Sequence, residues 1–124
     1  MVSVSVLRTV KGLALACHPG PTVAVTALVT AVAWSAGRSP AGCLLVAATI
    51  LTGHLSIGWS NDAIDAARDT IVNRRDKPVV RGLVSRRTLA IGAGVMLVVT
   101  IPVSLANGLA AGLVHLLFVG RGLG

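Results

Sequence analysis

The sequence contains no glutamate, and its 124 residues include only four acids. These four, Asp62, Asp65, Asp69 and Asp76, all fall between Asn61 and Pro78. Aromatics are as scarce, with Trp34, Trp59 and Phe118 the only ones. A nucleic-acid surface interleaves cations with rings on which bases stack, so the formal net charge of +7 does not indicate a nucleic-acid partner here. Cysteine occurs only at positions 17 and 43. The span boundaries argued below put Cys17 and Cys43 on opposite sides of a bilayer, far beyond the ~7 Å between Cα atoms that a disulfide tolerates. Both therefore read as small packing residues. Charged residues make up 12% of the chain against 54% hydrophobic, with a mean hydropathy of +0.85, and that balance excludes an ordinary soluble domain.

What is present is a series of apolar blocks separated by polar punctuation, each close to the roughly 20 residues that cross a ~30 Å hydrocarbon core. The expected fold is an all-α polytopic transmembrane helix bundle with three full spans and a truncated fourth. Met1 to Cys17 reads as an interfacial lead-in helix, since no small-residue cleavage site is followed by a soluble domain. His18-Pro19-Gly20-Pro21 breaks the chain, and Pro21 suits the first turn of a span over 21–37, with Trp34 near the headgroups. Ser39 as N-cap and Pro40 at the first helical position begin a second span over 41–60. Ser85 caps a third over 88–106, which Pro102 kinks without preventing. After Asn107-Gly108, the apolar segment 108–120 is too short to cross comfortably.

The polar connection 61–87 carries Arg68, Arg74, Arg75, Lys77, Arg81, Arg86 and Arg87, seven of the eleven basic residues. Arg8 and Lys11 fall on the same side of the membrane in this topology and Arg38 on the other. The positive-inside rule then predicts a cytoplasmic N-terminus and a cytoplasmic Asp-rich connection, in an integral protein of the plasma (inner) membrane in contact with anionic lipid.

The acid window has the spacing of a helix face. At ~100° per residue, Asn61 at 0° is followed by Asp62 near 100°, Asp65 near 40° and Asp69 near 80°. Ala63, Ile64, Ala67 and Ile71 occupy the other side. Carboxylates this close repel one another, and a divalent cation relieves the repulsion. Oxygen-only ligands with room for water favour Mg²⁺ shared with a phosphate, with Asn61, Asp62, Asp65 and Asp69 as the metal ligands. An EF-hand is excluded, because the spacing is helical and there is no central glycine. The alternative is a plain loop helix, with Asp62 on the N-terminal dipole and Asp65 paired with Arg68. His54 and His115, within apolar segments, read as neutral imidazoles bonded to neighbouring helices.

The run Asn61-Asp62-x-x-Asp65-x-x-x-Asp69, placed after a second apolar helix and followed by Lys77-Pro78 and Gly82, resembles the first aspartate-rich motif of UbiA-type intramembrane prenyltransferases. His18-Pro19 stands where the family has Arg-Pro. The resemblance implies Mg²⁺-dependent transfer of an isoprenoid chain from a polyprenyl diphosphate to an acceptor, usually aromatic, within a helical bundle. It implies Asp65 and Asp69 as catalytic metal-holding residues and Arg74, Arg75 and Lys77 as cations for the diphosphate. For each of these cations, topological retention and lipid contact are an equal alternative. Family members have about nine helices and a second aspartate cluster, whereas no acid follows Asp76 here. Residues 1–124 are therefore expected to form a partial UbiA-like domain, an incomplete N-terminal half whose missing wall a second polypeptide supplies. The rival readings are an inactive truncated product and a small non-enzymatic membrane protein that binds lipid diphosphates or divalent cations, or completes a partner subunit.

Overall fold

A computed structural model describes residues 3–123, and every described element is helical. Five helices follow in order: α1 (Val4–Ala16), α2 (Pro19–Ser35), α3 (Pro40–Ile71), α4 (Arg86–Ala106) and α5 (Leu109–Leu123). The local signals act as the sequence predicts. Ser39 Oγ accepts from the Gly42 amide at 3.0 Å and Pro40 opens α3. Ser85 Oγ accepts from the Thr88 amide at 3.0 Å at the start of α4. These bonds satisfy amides that the first turn of a helix leaves without partners. α4 continues through Pro102.

The spans differ in part from those expected. α3 and α4 are each long and apolar enough to cross a membrane. α2 has 17 residues and stands at 63° to α1 across His18, which takes a left-handed conformation (φ 54°). The two together have the length and composition of one broken span, giving two or three candidate crossings in all. α5, with 15 residues, is shorter. The helix that carries the second expected span, 41–60, does not end with it. α3 runs unbroken for 32 residues, about 48 Å at 1.5 Å per residue, so a crossing that begins at Pro40 leaves the bilayer near Trp59 and carries the acid window beyond it on the same helix. The non-helical part of the expected 61–87 connection is only 72–85.

Packing is inverted relative to a soluble protein. Large apolar side chains face outward, among them Leu28, Leu44, Val98, Leu117 and Phe118. Between the helices lie small and hydroxyl residues, with Ser56, Thr100 and Ser104 fully buried. Lipid tails solvate apolar side chains as well as a protein core does, so helices gain more from close approach and from interhelical hydrogen bonds. At one end of the bundle, Asn107 Nδ2 donates to Thr49 Oγ1 at 2.8 Å, and Arg38 donates to Asn107 Oδ1 at 3.4 Å. Gly112 meets α4 so closely that an added Cβ would sit 2.6 Å from the Ser104 carbonyl oxygen. At the other end, Ala16, Ala63, Val84 and Leu89 form a core against which Leu13, Trp59 and Val79 pack. This cluster clasps α1, α3, α4 and the 72–85 segment around the acid window.

Candidate functional site

The window is the last third of α3, and its two sides meet different surroundings. Asp62 (1% exposed) and Asp69 (6%) point inward, two helical turns apart, with Ala63 and Ala66 buried between them. Ile64 and Ile71 point outward, at 63% and 84% exposure. Asp62 and Asp69 are thus covered while Ile64 and Ile71 face out, because the chain after α3 turns back over one side of the helix. Asn73 makes that reversal in a left-handed conformation (φ 56°), which Asn tolerates better than most residues. The Arg74 amide then donates to the Asp69 carbonyl at 2.8 Å.

The returning segment brings a cation to the buried face. Lys77 Nζ lies 2.9 Å from Asp62 Oδ1, with side-chain exposures of 17% and 1%. Pro78 behind it is buried. Asp62 Oδ2 and Asp69 Oδ2 are buried with no hydrogen-bond partner. An unsatisfied buried carboxylate oxygen is costly. Arg74 turns away and holds Asp76 through two bonds, Nε to Oδ1 at 2.9 Å and Nη2 to Oδ2 at 2.8 Å. The hydrogen bond from Arg74 holds the Asp76 carboxyl down at about 2. Arg74 is in turn shifted upward, chiefly by Asp76, with weaker support from the charges of Asp69 and Asp62.

The expected ligands do not all share one environment. Asp62 and Asp69 lie on the covered face two turns apart, Asn61 is half-buried, and Asp65 is exposed. At ~100° per residue the buried positions run from Asp69 through Asp62 and Ala66 to Ala63, and Asp65, about 40° before Asp69 on the wheel, falls outside that covered arc and faces out. Arg75 is exposed as well. Among the described residues no three His, Cys, Asp or Glu side chains converge as a metal-holding group. The residues do fit a divalent cation in one respect: two buried carboxylates offer oxygens that nothing else satisfies.

Other residues position the site without a local signal in the sequence. Arg86 Nε donates to the Ala63 carbonyl at 2.8 Å, pinning the start of α4 beside the acids. Trp59 Nε1 donates to the Leu13 carbonyl at 2.8 Å, and Arg8 reaches the Gly82 carbonyl at 3.3 Å, so α1 braces the covering segment. Deeper in the bundle, His115 Nδ1 and Ser104 Oγ are 2.7 Å apart. His54 and His115 line an apolar cavity of about 580 Å³ between α2, α3 and α5. No aspartate lines that cavity. The chain matches no protein-family model, and neither curated proteins nor solved structures give a match to it.

Proposed function

We propose that the chain furnishes one wall of a Mg²⁺-dependent polyprenyl-diphosphate site, the N-terminal half of a UbiA-like prenyltransferase. The observation that carries this reading is the pair of buried carboxylates, Asp62 and Asp69, each with an unpartnered Oδ2, covered by a basic segment at the end of an apolar helix. Asp62 and Asp69 would hold the cation, with Asn61 and Asp65 at the edge of the same face, and Lys77 and Arg75 within reach of the phosphates. When bound, Mg²⁺ neutralises charge on the departing diphosphate as the allylic C–O bond breaks. The chain's own part is to fix the carboxylates on a rigid helix, crowd cations around the diphosphate, and keep water from the allylic cation with apolar helices. The acceptor in this reading is aromatic, and the opposite acidic wall comes from further polypeptide.

The test is binding of a polyprenyl diphosphate to the purified chain in micelles. Binding is expected to require Mg²⁺, and Asp69→Asn is expected to weaken it by about 10- to 100-fold, the scale of losses when a metal site's carboxylates are disturbed. Binding that is equal with and without Mg²⁺, or indifferent to Asp69→Asn, would sink the reading. A second reading, a non-enzymatic binder of lipid diphosphates, is favoured by the confinement of all four acids to one window. It predicts the same binding with no prenyl transfer when a chain bearing a second acidic wall is co-expressed.

A further inference from the structure

Lys77 stands where a metal-dependent site would place its cation. It reaches Asp62 from 15 residues along the chain, and its ammonium satisfies one carboxylate oxygen while the Oδ2 atoms of Asp62 and Asp69 stay buried and unpartnered. A half-satisfied polar cluster of this kind is under electrostatic tension. Lys77 belongs to the irregular segment 72–85 and not to α3, so it can leave Asp62 without unwinding the helix that carries the acids.

We propose that Lys77 is a tethered counter-cation that holds Asp62 in the resting chain and passes to a phosphate oxygen when a diphosphate arrives with its metal. The proposal rests on the reading of the window as a divalent-metal diphosphate wall and adds to it an order of events. With a metal ion alone, Lys77 has to leave a buried carboxylate with no new anion to receive it, in a segment that already carries Arg74 and Arg75; the added cation and the ammonium then repel one another. With a diphosphate present, Lys77 exchanges one anionic oxygen for another. Metal and diphosphate therefore strengthen each other's binding through Lys77, by the same factor in both directions, as linkage requires. The site is guarded against divalent ions until the lipid substrate is there.

The chain has two lysines, Lys11 and Lys77, and Lys11 is exposed, which provides an internal reference. The full chain in detergent micelles is reductively methylated, and the extent at each lysine is read by mass spectrometry. In metal-free buffer, Lys77 is expected to react about tenfold more slowly than Lys11. Saturating Mn²⁺ alone should release Lys77 and raise its rate, and Mn²⁺ with inorganic pyrophosphate should suppress it again. In parallel, Mn²⁺ binding is followed by electron paramagnetic resonance. Lys77→Met is expected to bind Mn²⁺ alone about tenfold more tightly than the unaltered chain, within the usual range of coupling between sites, while Lys77→Arg resembles the unaltered chain. If Mn²⁺ binds, is lost in Asp69→Asn, and yet leaves Lys77 labelling unchanged, the counter-cation role is overturned and the metal wall stands. If Mn²⁺ binds neither the unaltered chain nor Lys77→Met, or binds regardless of Asp69→Asn, the wall itself is overturned. Should Lys77→Met fail to fold, the labelling of the unaltered chain decides alone.

Discussion

The covering segment contributes Arg74, Asp76 and Lys77 to two ion pairs with opposite consequences. Arg74 and Asp76 meet at the surface with side-chain exposures of 50% and 63%, where water and salt screen their attraction. Asp76→Asn is expected to leave the thermal midpoint at neutral pH unchanged within error. The sign of any pH dependence follows from the lowered folded value of about 2. The pair contributes above the ordinary carboxylate value of 3.8 and is lost as pH falls towards 2, so a difference between Asp76→Asn and the unaltered chain should vanish in strong acid. In the other pair Asp62 is buried and Lys77 half-buried. Removing the ammonium leaves a charge in a dry site, a loss on the order of 3 to 5 kcal/mol. Lys77→Ala is accordingly expected to unfold at markedly lower denaturant concentration than Asp76→Asn, and equal midpoints would contradict the burial of Asp62. Sequence spacing shows Arg74 and Asp76 as near neighbours. It gives no hint that Lys77 and Asp62 meet, because 15 residues and a chain reversal separate them.

At the scale of elements, α3 matters most because it continues. The helix is long and apolar enough to cross a membrane over its first part and continues unbroken into the acids, so Asp62, Asp65 and Asp69 are carried on a rigid rod. α1 supplies the counter-support. An added Cβ at Gly12 would sit 2.7 Å from Val84 Cβ and 3.0 Å from the Leu83 backbone, and backbone cannot move aside as a flexible side chain can. Gly12→Ala is expected to lift α1 from the covering segment at a cost of about 1 to 3 kcal/mol, the range for overpacking. Trp59, whose indole N–H is held by the Leu13 carbonyl, reports the change. In a Trp34→Phe background, its emission should shift to the red, and an unshifted spectrum would show that α1 does not depend on this contact. The caps at Ser39 and Ser85 and the break before α2 were legible because they depend on neighbours three or four residues away. The close approach at Gly12 was not, since its partner lies in another segment.

At the scale of the whole molecule, charge is segregated. The Arg8 to Gly82 bond, the acid window and the start of α4 lie at one end, and the turns after α2 and α4 meet at the other through Arg38 and Asn107. Among the described residues Arg38 is the one cation at that second end. The positive-inside rule then predicts a cytoplasmic acid window. With Cys17 and Cys43 replaced by serine, a cysteine at Ala36 should react with an impermeant maleimide added to intact cells, and one at Arg81 only after permeabilisation. The reverse pattern would put the acid window on the outer face.

The sequence by itself determined that the chain is helical, with apolar helices long enough to cross a membrane, where its caps fall, and that Asp62, Asp65 and Asp69 lie along part of one helix circumference. These are consequences of composition and of spacings shorter than two helical turns, which local geometry fixes whatever packs nearby. Only the tertiary structure decided that Asp62 and Asp69 are covered while Asp65 is exposed, that Ile64 and Ile71 face out, and that Lys77 closes on Asp62. Burial and pairing depend on which distant segment folds over a face, and that choice is made by the packing of α1, α4 and residues 72–85 together.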